Sequence, residues 1–494
     1  MGEPMAEPGG KRGGRRKCEE RWKLPERAFR RAATSALTYE VMRWGLALRR
    51  VFGLSRHSLE AASLLAEFGL GQVGMAFGRG RVSGLGRRRP VIWTSAFAPT
   101  ELLYALDLVP FSPEIASAAI ASIGLSGKML NIAEDHWYAR DSCSFHRCAA
   151  GAALEGYLPR PDALVAASHL CDGAPKLFGN LARALGAEFY LIDTPWVTGG
   201  GAGDARDTRD AGHAGDAEGA EDTEDGGGAF RDALEYYARQ LEALAYALAH
   251  RFNRRVDMSR FARAIEFSNE ARHYAIEVNK LKKRKPCPVL GAEVLGFVAA
   301  LFWGFGTRDV VRIYKRLYEE VLARAEGRAE ARQGWAGKGR IAQGDGDGEG
   351  APERHRLLWM HLKPFYPNGL WRKMEVELGA RIVFDEFSRI YWDEMDPERP
   401  FESLARKALS HFGYGRIERR IDAALQAVDE YSIDGVIHFS HWGCRQATGG
   451  VWAIKEALKA RGIPMLVLDG DCVDGRNYSE GQVMTRIEGF LEML

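Results

Sequence analysis

The chain has 494 residues, of which 46% are hydrophobic, and its formal net charge is +2. This length allows several buried cores, so two or three domains are expected. The near-neutral charge gives no overall field that would attract nucleic acid. No segment approaches the roughly 18 consecutive apolar residues of a membrane span. We therefore predict neither a nucleic-acid partner nor a membrane partner.

Three stretches of biased composition separate the segments that can fold. Residues 1–26 contain the basic run KRGGRRK without the apolar stretch of a secretory signal, and are predicted to be a disordered tail. Residues 199–228 and 326–353 are rich in glycine and acidic residues. Because such segments bury too little apolar surface to offset the entropy of ordering, both are predicted to be disordered insertions.

The remaining blocks predict an α/β fold in chain order. In the first block, residues 27–198, the stretch VIWTSAFAPTELLYALDLVPFSPE predicts a strand, a turn, a helix and a second strand. Residues 229–325 are predicted to be helical from the spacing of their apolar residues. The last block, residues 354–494, returns to strand–helix alternation, with strands predicted at ARIVFDEF, DGVIHFSHWGC and IPMLVLDGD.

Two segments in different blocks share one pattern. DALVAASHLCDGAPKLFGNLARALGAEFYLIDTP begins at Asp162, and DGVIHFSHWGCRQATGGVWAIKEALKARGIPMLVLDGD begins at Asp434. Each has an aspartate, a short apolar strand, Ser-His, a cysteine, a glycine-bearing turn, a helix of about four turns and a second strand. His169 aligns with His441, while the cysteines align with a one-residue slip. We therefore predict two duplicated Rossmann-like domains with parallel sheets, additional helices and the two insertions.

Cysteine usage points to reduced thiols. The chain has seven cysteines and no secretory signal, so a disulfide framework is not expected and the protein is predicted to be cytoplasmic. Cys171 and Cys444 each stand between a strand and a helix, at the edge of an α/β sheet where ligands bind. The helix N-terminus is expected to lower the pKa of each thiol and favour a metal-ligating thiolate. If the two domains face each other, both sulfurs reach one site.

Two further cysteines lie upstream of the first repeat. Cys143 and Cys148 form a C-x4-C pattern in ARDSCSFHRCAAGAALEG, which is not the usual spacing of a structural zinc site. Soft thiolates distributed over distant loops are typical of iron–sulfur ligation. We therefore expect an iron–sulfur site.

Four stretches resemble a known family: CSFHRCAAGAALEG, SHLCDGAPKLFGNLARALGAEFYLIDTP, GVIHFSHWGCRQATGG and LDGDCVDGRNYSEGQVMTRIEGFLEML. They are similar to the iron–sulfur subunits of 2-hydroxyacyl-CoA dehydratases and benzoyl-CoA reductases, a superfamily that includes the double-cubane iron–sulfur proteins. The resemblance implies two Rossmann-like domains with a 4Fe–4S cluster between them. Carried over to this sequence, the metal ligands are Cys143, Cys171 and Cys444.

The resemblance also implies an activity and its partners. The chain would be the catalytic subunit of a lyase, an ATP-activated radical 2-hydroxyacyl-CoA dehydratase that eliminates water through a ketyl radical. The substrate would be an acyl-CoA, and a separate ATP-hydrolysing iron–sulfur activator protein would supply the electron. A related second subunit, or a second copy of the chain, would complete the enzyme.

Two alternatives stay open. Cys148 and Cys472 are extra thiols near the expected site, and they could serve a double-cubane 8Fe–9S cluster. The protein would then be an ATP-dependent reductase of the double-cubane or benzoyl-CoA reductase type. The second alternative is a non-catalytic scaffold or a cluster-carrying partner of an active sister subunit.

Several other residues are candidates for catalysis. His169 and His441 either bind a cluster sulfide or move protons, or are turn histidines bonded to the backbone. Ser95 and Glu101 either touch substrate or cluster, or serve as a helix cap and a first-turn acid. His146 is predicted to be a helix-start residue.

Overall fold

A computed structural model describes residues 59–77, 88–197, 224–328 and 351–494. The predicted tail at residues 1–26, with Cys18, lies outside the described residues, as do residues 199–223 and 329–350 of the two predicted insertions. Within the part of the chain that is described, no helix has both the length and the apolar character needed to cross a membrane.

The first block contains a four-stranded parallel sheet flanked by helices. Its strands are β1 (Val91–Thr94), β2 (Val109–Phe111), β3 (Ala163–Ala167) and β4 (Glu188–Ile192). Its helices are α1 (Glu60–Ala76), α2 (Thr100–Ala105), α3 (Pro113–Ser122), α4 (Ser126–Asp135), α5 (Ser144–Leu154) and α6 (Ala174–Leu185). The strand order is β2-β1-β3-β4, and β1 and β3 are buried along their whole length. These continuous apolar strands are typical of a sheet that is covered on both faces.

The middle block is helical, as predicted. It contains α7 (Glu224–Arg251), α8 (Met258–Lys282), α9 (Gly291–Val294), the 3-10 turn Leu295–Phe297, α10 (Val298–Trp303) and α11 (Arg308–Ala325). Helix α7 begins at Glu224, so the end of the stretch predicted to be an insertion is helical. Helix α8 packs against α11 and α2. Apolar side chains of all three blocks, such as Ile92, Tyr237 and Leu358, share one core.

The last block contains the second sheet. Its strands are β5 (His355–Met360), β6 (Ala380–Asp385), β7 (Gly435–His441) and β8 (Met465–Gly470). Its helices are α12 (Leu370–Arg372), α13 (Pro400–Leu409), α14 (Ile417–Tyr431), α15 (Arg445–Thr448), α16 (Val451–Ala460) and α17 (Glu480–Leu491), with a π-helical turn Lys373–Glu377 and 3-10 turns Glu386–Ser388 and Gly475–Asn477. All four strands are parallel, in the order β6-β5-β7-β8.

The two sheets have the same topology, which confirms the predicted fold class. Replacing β1–β4 by β5–β8 converts one strand order into the other. The aspartates that open the two repeats also have the same role. Asp162 accepts a hydrogen bond from the backbone N–H of Val91 (2.7 Å), and Asp434 accepts one from that of Arg356 (2.7 Å). Each aspartate thus ties its own strand to the adjacent central strand.

The strand order places the binding crevice of each sheet. In both sheets the order of the strands reverses between the two central strands. These are β1 and β3 in the first sheet, and β5 and β7 in the second. Ligands bind at the carboxyl ends of the strands at such a switch point. The turns that carry Cys171 and Cys444 lie there, after β3 and β7 respectively. The structure thus gives both turns the position that the sequence predicts.

Candidate functional site

Three cysteines from the two α/β domains line one cavity. Cys143 precedes α5, Cys171 lies in the turn between β3 and α6, and Cys444 precedes α15. All three contribute to the wall of a cavity with a volume of about 250 Å³, and each is partly buried. The structure therefore brings the three predicted ligands together, as a single interdomain site requires.

The environment of the thiols differs from the prediction. Desolvation raises the pKa of Cys444 to about 12, and the neighbouring Cys143 and Cys171 add to this rise. Desolvation also raises the pKa of Cys143. The lowering of the Cys444 pKa that we expected from a helix N-terminus is therefore wrong for the chain alone. The helix that follows Cys444 has only four residues, so its dipole is short and burial outweighs it.

The loops of the two domains touch beside the cavity. Gly443 has φ +77°, and a Cβ atom built on it would lie 2.6 Å from the backbone nitrogen of Cys143. Farther out, the exposed side chains of Arg445 and Asp172 form an ion pair between the turn of Cys444 and the turn of Cys171. The turn of Cys444 thus contacts both segments of the first domain that carry a predicted ligand.

A carboxylate and an imidazole lie next to Cys171. The Oε1 atom of Glu114 is 3.2 Å from Nε2 of His146, and that nitrogen is 3.9 Å from the Cys171 sulfur. Ligand atoms of the three residues lie within 4.8 Å of one another. The backbone N–H of Ala96 donates to the other oxygen of Glu114 (2.6 Å). His146, predicted to be a helix-start residue, lies in the first turn of α5, but its side chain lines the cavity.

The side chains around His146 shift its pKa. Burial alone would lower the pKa of His146, but Cys143, Cys171 and Glu114 together raise it well above its ordinary value. The imidazole is therefore stabilised in its protonated form by its neighbours. Glu114 was missed in the sequence. The one feature of the sequence that could have indicated Glu114 is its position three residues after β2, at the carboxyl end of a strand next to β1.

His441 contacts Cys143, another of the three cysteines. Its Nε2 atom lies 3.5 Å from the sulfur of Cys143, and its Nδ1 accepts a hydrogen bond from the backbone N–H of Cys472 (3.2 Å). Burial lowers the pKa of His441 to about 4. Among the histidines predicted to serve catalysis, His441 is the one whose side chain lines the cavity of the cysteines.

His361 also lines this cavity and was not predicted. It directly follows β5, and its φ of +67° is unusual for a residue other than glycine. Its ring lies nearly parallel to those of His438 and His441, with centroid distances of 6.3 and 6.1 Å. Its Nδ1 atom has no hydrogen-bond partner among the described residues. Strained residues with a free buried donor or acceptor are common in binding sites.

A buried ion pair supports the second domain's side of the cavity. The Nε atom of Arg420 lies 2.5 Å from the Oε1 atom of Glu386, and both residues line the cavity. Burial opposes ionisation of Glu386, but Arg420 holds the pKa of this carboxyl below its ordinary value. Arg420 also donates to the carbonyl oxygen of Ala447, and Glu386 accepts the backbone N–H of His361. The pair thus links the turn after Cys444 to the end of β5.

Three predicted residues lie outside the lining of this cavity. Ser95 accepts a hydrogen bond from the backbone N–H of Ala167 (3.0 Å) and so joins the ends of β1 and β3. Glu101 is buried and bonded to Lys407 (2.6 Å) and Ser268 (3.1 Å). His169 lines a second cavity of about 60 Å³, as does Glu101. These contacts favour structural roles for Ser95 and Glu101.

The two extra thiols also lie outside the lining of the larger cavity. Cys148 and Cys472 are fully buried. Burial raises the pKa of Cys148 to about 12 and raises that of Cys472 well above its ordinary value. The thiols predicted for a double-cubane cluster are therefore placed in the protein core.

The rest of the cavity wall is mainly apolar. Aromatic and aliphatic side chains come from both sheets' domains and from the helical block between them. They include Leu65, Phe68, Val73, Phe97, Phe111, Ile115, Phe145, Leu295, Val298, Phe302, Trp303, Phe365, Phe387 and Phe412. A cavity of this composition accepts an apolar group and positions it with a few polar side chains.

Curated relatives match most of the chain. It is 22% identical over 418 residues to the alpha subunit of (R)-phenyllactyl-CoA dehydratase from Clostridium sporogenes, covering 83% of this chain and 90% of the relative. It is 22% identical over 426 residues to a benzoyl-CoA reductase subunit from Thauera aromatica, covering 81% and 88%. It is 21% identical over 426 residues to the alpha subunit of lactoyl-CoA dehydratase from Anaerotignum propionicum, covering 82% and 90%.

The match to a protein-family model extends over most of the chain. Residues 95–494 match the family described as 2-hydroxyglutaryl-CoA dehydratase, D-component. This range begins at the end of β1 and includes the cavity's three cysteines, Glu114 and His361. The chain belongs to the family of the 2-hydroxyglutaryl-CoA dehydratase D-component.

Proposed function

We propose that the chain is the cluster-bearing catalytic subunit of an ATP-activated 2-hydroxyacyl-CoA dehydratase. The observation that carries this proposal is the convergence of Cys143, Cys171 and Cys444, from two domains, on a cavity that also contains Glu114 and His146. Several relatives are named as alpha subunits of dehydratases whose substrates are CoA thioesters. The subunit would thus belong to a lyase.

The residues present suit a 4Fe–4S cluster. The donor set is three thiols, and soft thiolates are the usual ligands of iron–sulfur clusters. Desolvation and mutual repulsion disfavour thiolates at Cys143 and Cys444 in the chain alone, so a positively charged group is needed to hold them. When bound, such a cluster would supply a low-potential electron and an iron with an open coordination position.

Glu114 and His146 are the groups that we assign to proton transfer. Dehydration removes the hydroxyl from carbon 2 of the acyl group and a proton from carbon 3, which gives a 2-enoyl thioester and water. Glu114 Oε1 and His146 Nε2 lie 3.2 Å apart, close enough to share a proton. In our proposal Glu114 accepts the carbon-3 proton, and His146 donates a proton to the departing hydroxyl.

The apolar wall defines the acyl group and excludes water. Side chains such as Phe97, Phe302 and Phe387 line the space next to the cysteines. A dry cavity strengthens the interactions of Glu114 and protects a reactive radical from side reactions. We therefore propose that the acyl group of the substrate is apolar, either aromatic or aliphatic.

The proposal includes further proteins. Each of these relatives is named as one subunit of its enzyme, which supports a second, related subunit. In our proposal the elimination requires a low-potential electron. We propose that a separate ATP-hydrolysing iron–sulfur activator delivers that electron.

The test is an iron and sulfide count on protein purified without oxygen. Wild type is expected to hold about four irons per chain. Cys171→Ser removes a ligand from the cavity and is expected to lose most of the iron, whereas the matched variant Cys148→Ser, buried outside the lining, keeps it. With the second subunit and activator present, Cys171→Ser is expected to lose dehydration of a 2-hydroxyacyl-CoA. A Cys171→Ser protein with full iron would contradict the proposal.

The likeness to a subunit of benzoyl-CoA reductase supports a second candidate, an ATP-dependent reductase. The same count separates the two. About eight irons, with iron lost in both Cys148→Ser and Cys472→Ser, would favour a double-cubane reductase. If Cys444→Ala left the turnover of the assembled enzyme unchanged, the chain would be a scaffold for its partner.

A further inference from the structure

His441 lies between two groups that fix its orientation. Its Nδ1 atom is 3.2 Å from the backbone nitrogen of Cys472, and its Nε2 atom is 3.5 Å from the sulfur of Cys143. The side chain is only 1% exposed. On its faces it contacts Phe145, edge to face at 5.5 Å, and His361, nearly parallel at 6.1 Å. The two ring nitrogens of His441 are therefore shielded from bulk water by the neighbouring side chains.

These partners determine which nitrogen carries the proton. A backbone N–H can only donate, so Nδ1 must offer its lone pair to Cys472. Since a neutral imidazole has one N–H, that proton is on Nε2 and points to the sulfur of Cys143. The carboxylate of Asp471 does not change this assignment, because its nearest oxygen is 3.9 Å from Nδ1, too far for a hydrogen bond.

We infer that His441 donates an Nε2–H···Sγ hydrogen bond to Cys143 and thereby raises the reduction potential of the bound cluster. The inference rests on the proposed function, since it requires Cys143 to be a cluster ligand. Reduction adds negative charge to the cluster and its sulfurs, and a hydrogen bond to a ligating sulfur is stronger in that state. His441 acts through Cys143, so it is a positioning residue.

The equivalent histidine of the first repeat lacks this arrangement. Both ring nitrogens of His169 are without a hydrogen-bond partner among the described residues. Its ring contacts Phe97, His411 and Tyr414 in the smaller cavity. The two repeats therefore share a Ser-His sequence, but of these two histidines only His441 has a ring nitrogen on a cysteine sulfur, whereas Cys171 has His146 beside it. This difference supplies a control from the same chain.

The experiment is a redox titration of the purified holoprotein, followed by the EPR signal of the reduced cluster. His441→Leu removes the donor without admitting a polar group, and we expect the ratio of reduced to oxidised cluster at fixed potential to fall about tenfold. That ratio corresponds to a shift of about 59 mV for one electron. His441→Gln retains an N–H donor, and its potential is expected to lie close to that of wild type. His169→Leu is expected to leave the potential unchanged.

The outcomes separate this inference from the proposed function. Wild-type protein without iron would overturn both. A His441→Leu protein with full iron and the wild-type potential would overturn only the hydrogen bond to Cys143. A purely structural role of His441 would lower the iron content of both variants and leave the potential of the remaining clusters unchanged, which would also overturn it.

A second measurement uses protein labelled with ¹⁵N-histidine and pulsed EPR of the reduced cluster. In wild type, His441 on Cys143 and His146, whose Nε2 lies 3.9 Å from the sulfur of Cys171, each place a labelled nitrogen near the cluster. We therefore use labelled His146→Leu, in which one exchangeable proton and one ¹⁵N coupling, those of His441, are expected to persist. If neither coupling is found in a His146→Leu protein with full iron, the hydrogen bond to Cys143 is absent and the inference is wrong.

Discussion

At Gly443 the second domain packs closely against the backbone of Cys143 in the first. Any side chain there meets two obstacles. The φ of +77° lies in the left-handed region, which costs other residues roughly 1–2 kcal/mol. A Cβ would also approach the backbone nitrogen of Cys143 to 2.6 Å, far inside van der Waals contact. The turn around Cys444 therefore keeps its position only while this residue is glycine.

We predict that Gly443→Ala lowers both stability and iron content. The matched variant is Gly462→Ala, because Gly462 has a similar φ of +72° but no atom within 4 Å of the added Cβ. Urea unfolding of Gly462→Ala should show a loss of about 1–2 kcal/mol with iron content unchanged. Gly443→Ala should lose more stability and most of the iron. Equal effects of the two variants would mean that the approach to Cys143 does not matter.

Single side chains were predictable only where their chemistry limits the choice. Cys171 and Cys444 were predicted because each follows a strand in a repeated pattern, and Cys143 was predicted from the resemblance to a known family. Glu114, the cavity acid that contacts His146, was not predicted. Glu101 and Glu114 each occupy the second position of a short helix that follows a strand, so the local sequence gave no basis for choosing between them. The difference is tertiary, since Lys407 and Ser268 bond Glu101 while Glu114 faces His146.

Helix α5 is held against the second domain by buried charges. Arg147, on this helix, lies 2.8 Å from Glu134 and within 3.8 Å of carboxylate oxygens of Asp471 and Asp474. The guanidinium is 3% exposed, and the Ser144 hydroxyl donates to Asp471. Because Cys143 directly precedes α5, this cluster of charges also fixes the position of Cys143 relative to the second domain.

Loss of Arg147 would leave the buried Asp471 without its arginine partner, whereas Glu134 and Asp474 keep their ion pairs with Arg476. We predict that Arg147→Met destabilises the protein by about 3–5 kcal/mol, as expected when one partner of a buried ion pair is removed. Arg140 is the matched residue, because it pairs with the same Glu134 at 2.9 Å but is 82% exposed. Arg140→Met should cost no more than about 1 kcal/mol in urea unfolding. Similar losses for both variants would contradict this account.

The elements themselves were largely predictable, and the exceptions have physical causes. The strands around both cysteines were found because they are short, apolar and bounded by turns. Strand β5 was not among the predicted strands. The helix of about four turns predicted after Cys444 is split into α15 and α16 at Gly449 and Gly450. A Cβ on Gly450 would lie 2.4 Å from the Cδ1 atom of Ile417, so the side chain of α14 packs directly against the backbone at this break.

The helical block between the two domains supplies a third wall of the site. Phe302, on α10, lies between Phe97 of the first domain (ring centroids 5.4 Å apart) and Phe387 of the second (6.1 Å). These three rings line both the larger cavity and the smaller one next to it. They therefore separate the two spaces. The sequence could not predict this wall, because its side chains come from three distant segments.

The size of the acyl group should depend on this partition. Phe302→Ala opens the cavity of about 250 Å³ toward that of about 60 Å³, so bulky acyl groups gain room while small ones lose contacts. On the proposed function, we predict that the ratio of kcat/KM for a 2-hydroxyacyl-CoA with an aromatic side chain over one with a methyl side chain rises about tenfold, the range typical of a changed apolar pocket. Leu301→Ala is the control, because Leu301 lines the smaller cavity but not the larger one, and it should leave the ratio unchanged. If Phe302→Ala lowers kcat/KM for both substrates equally, the ring stabilises the fold but does not select the acyl group.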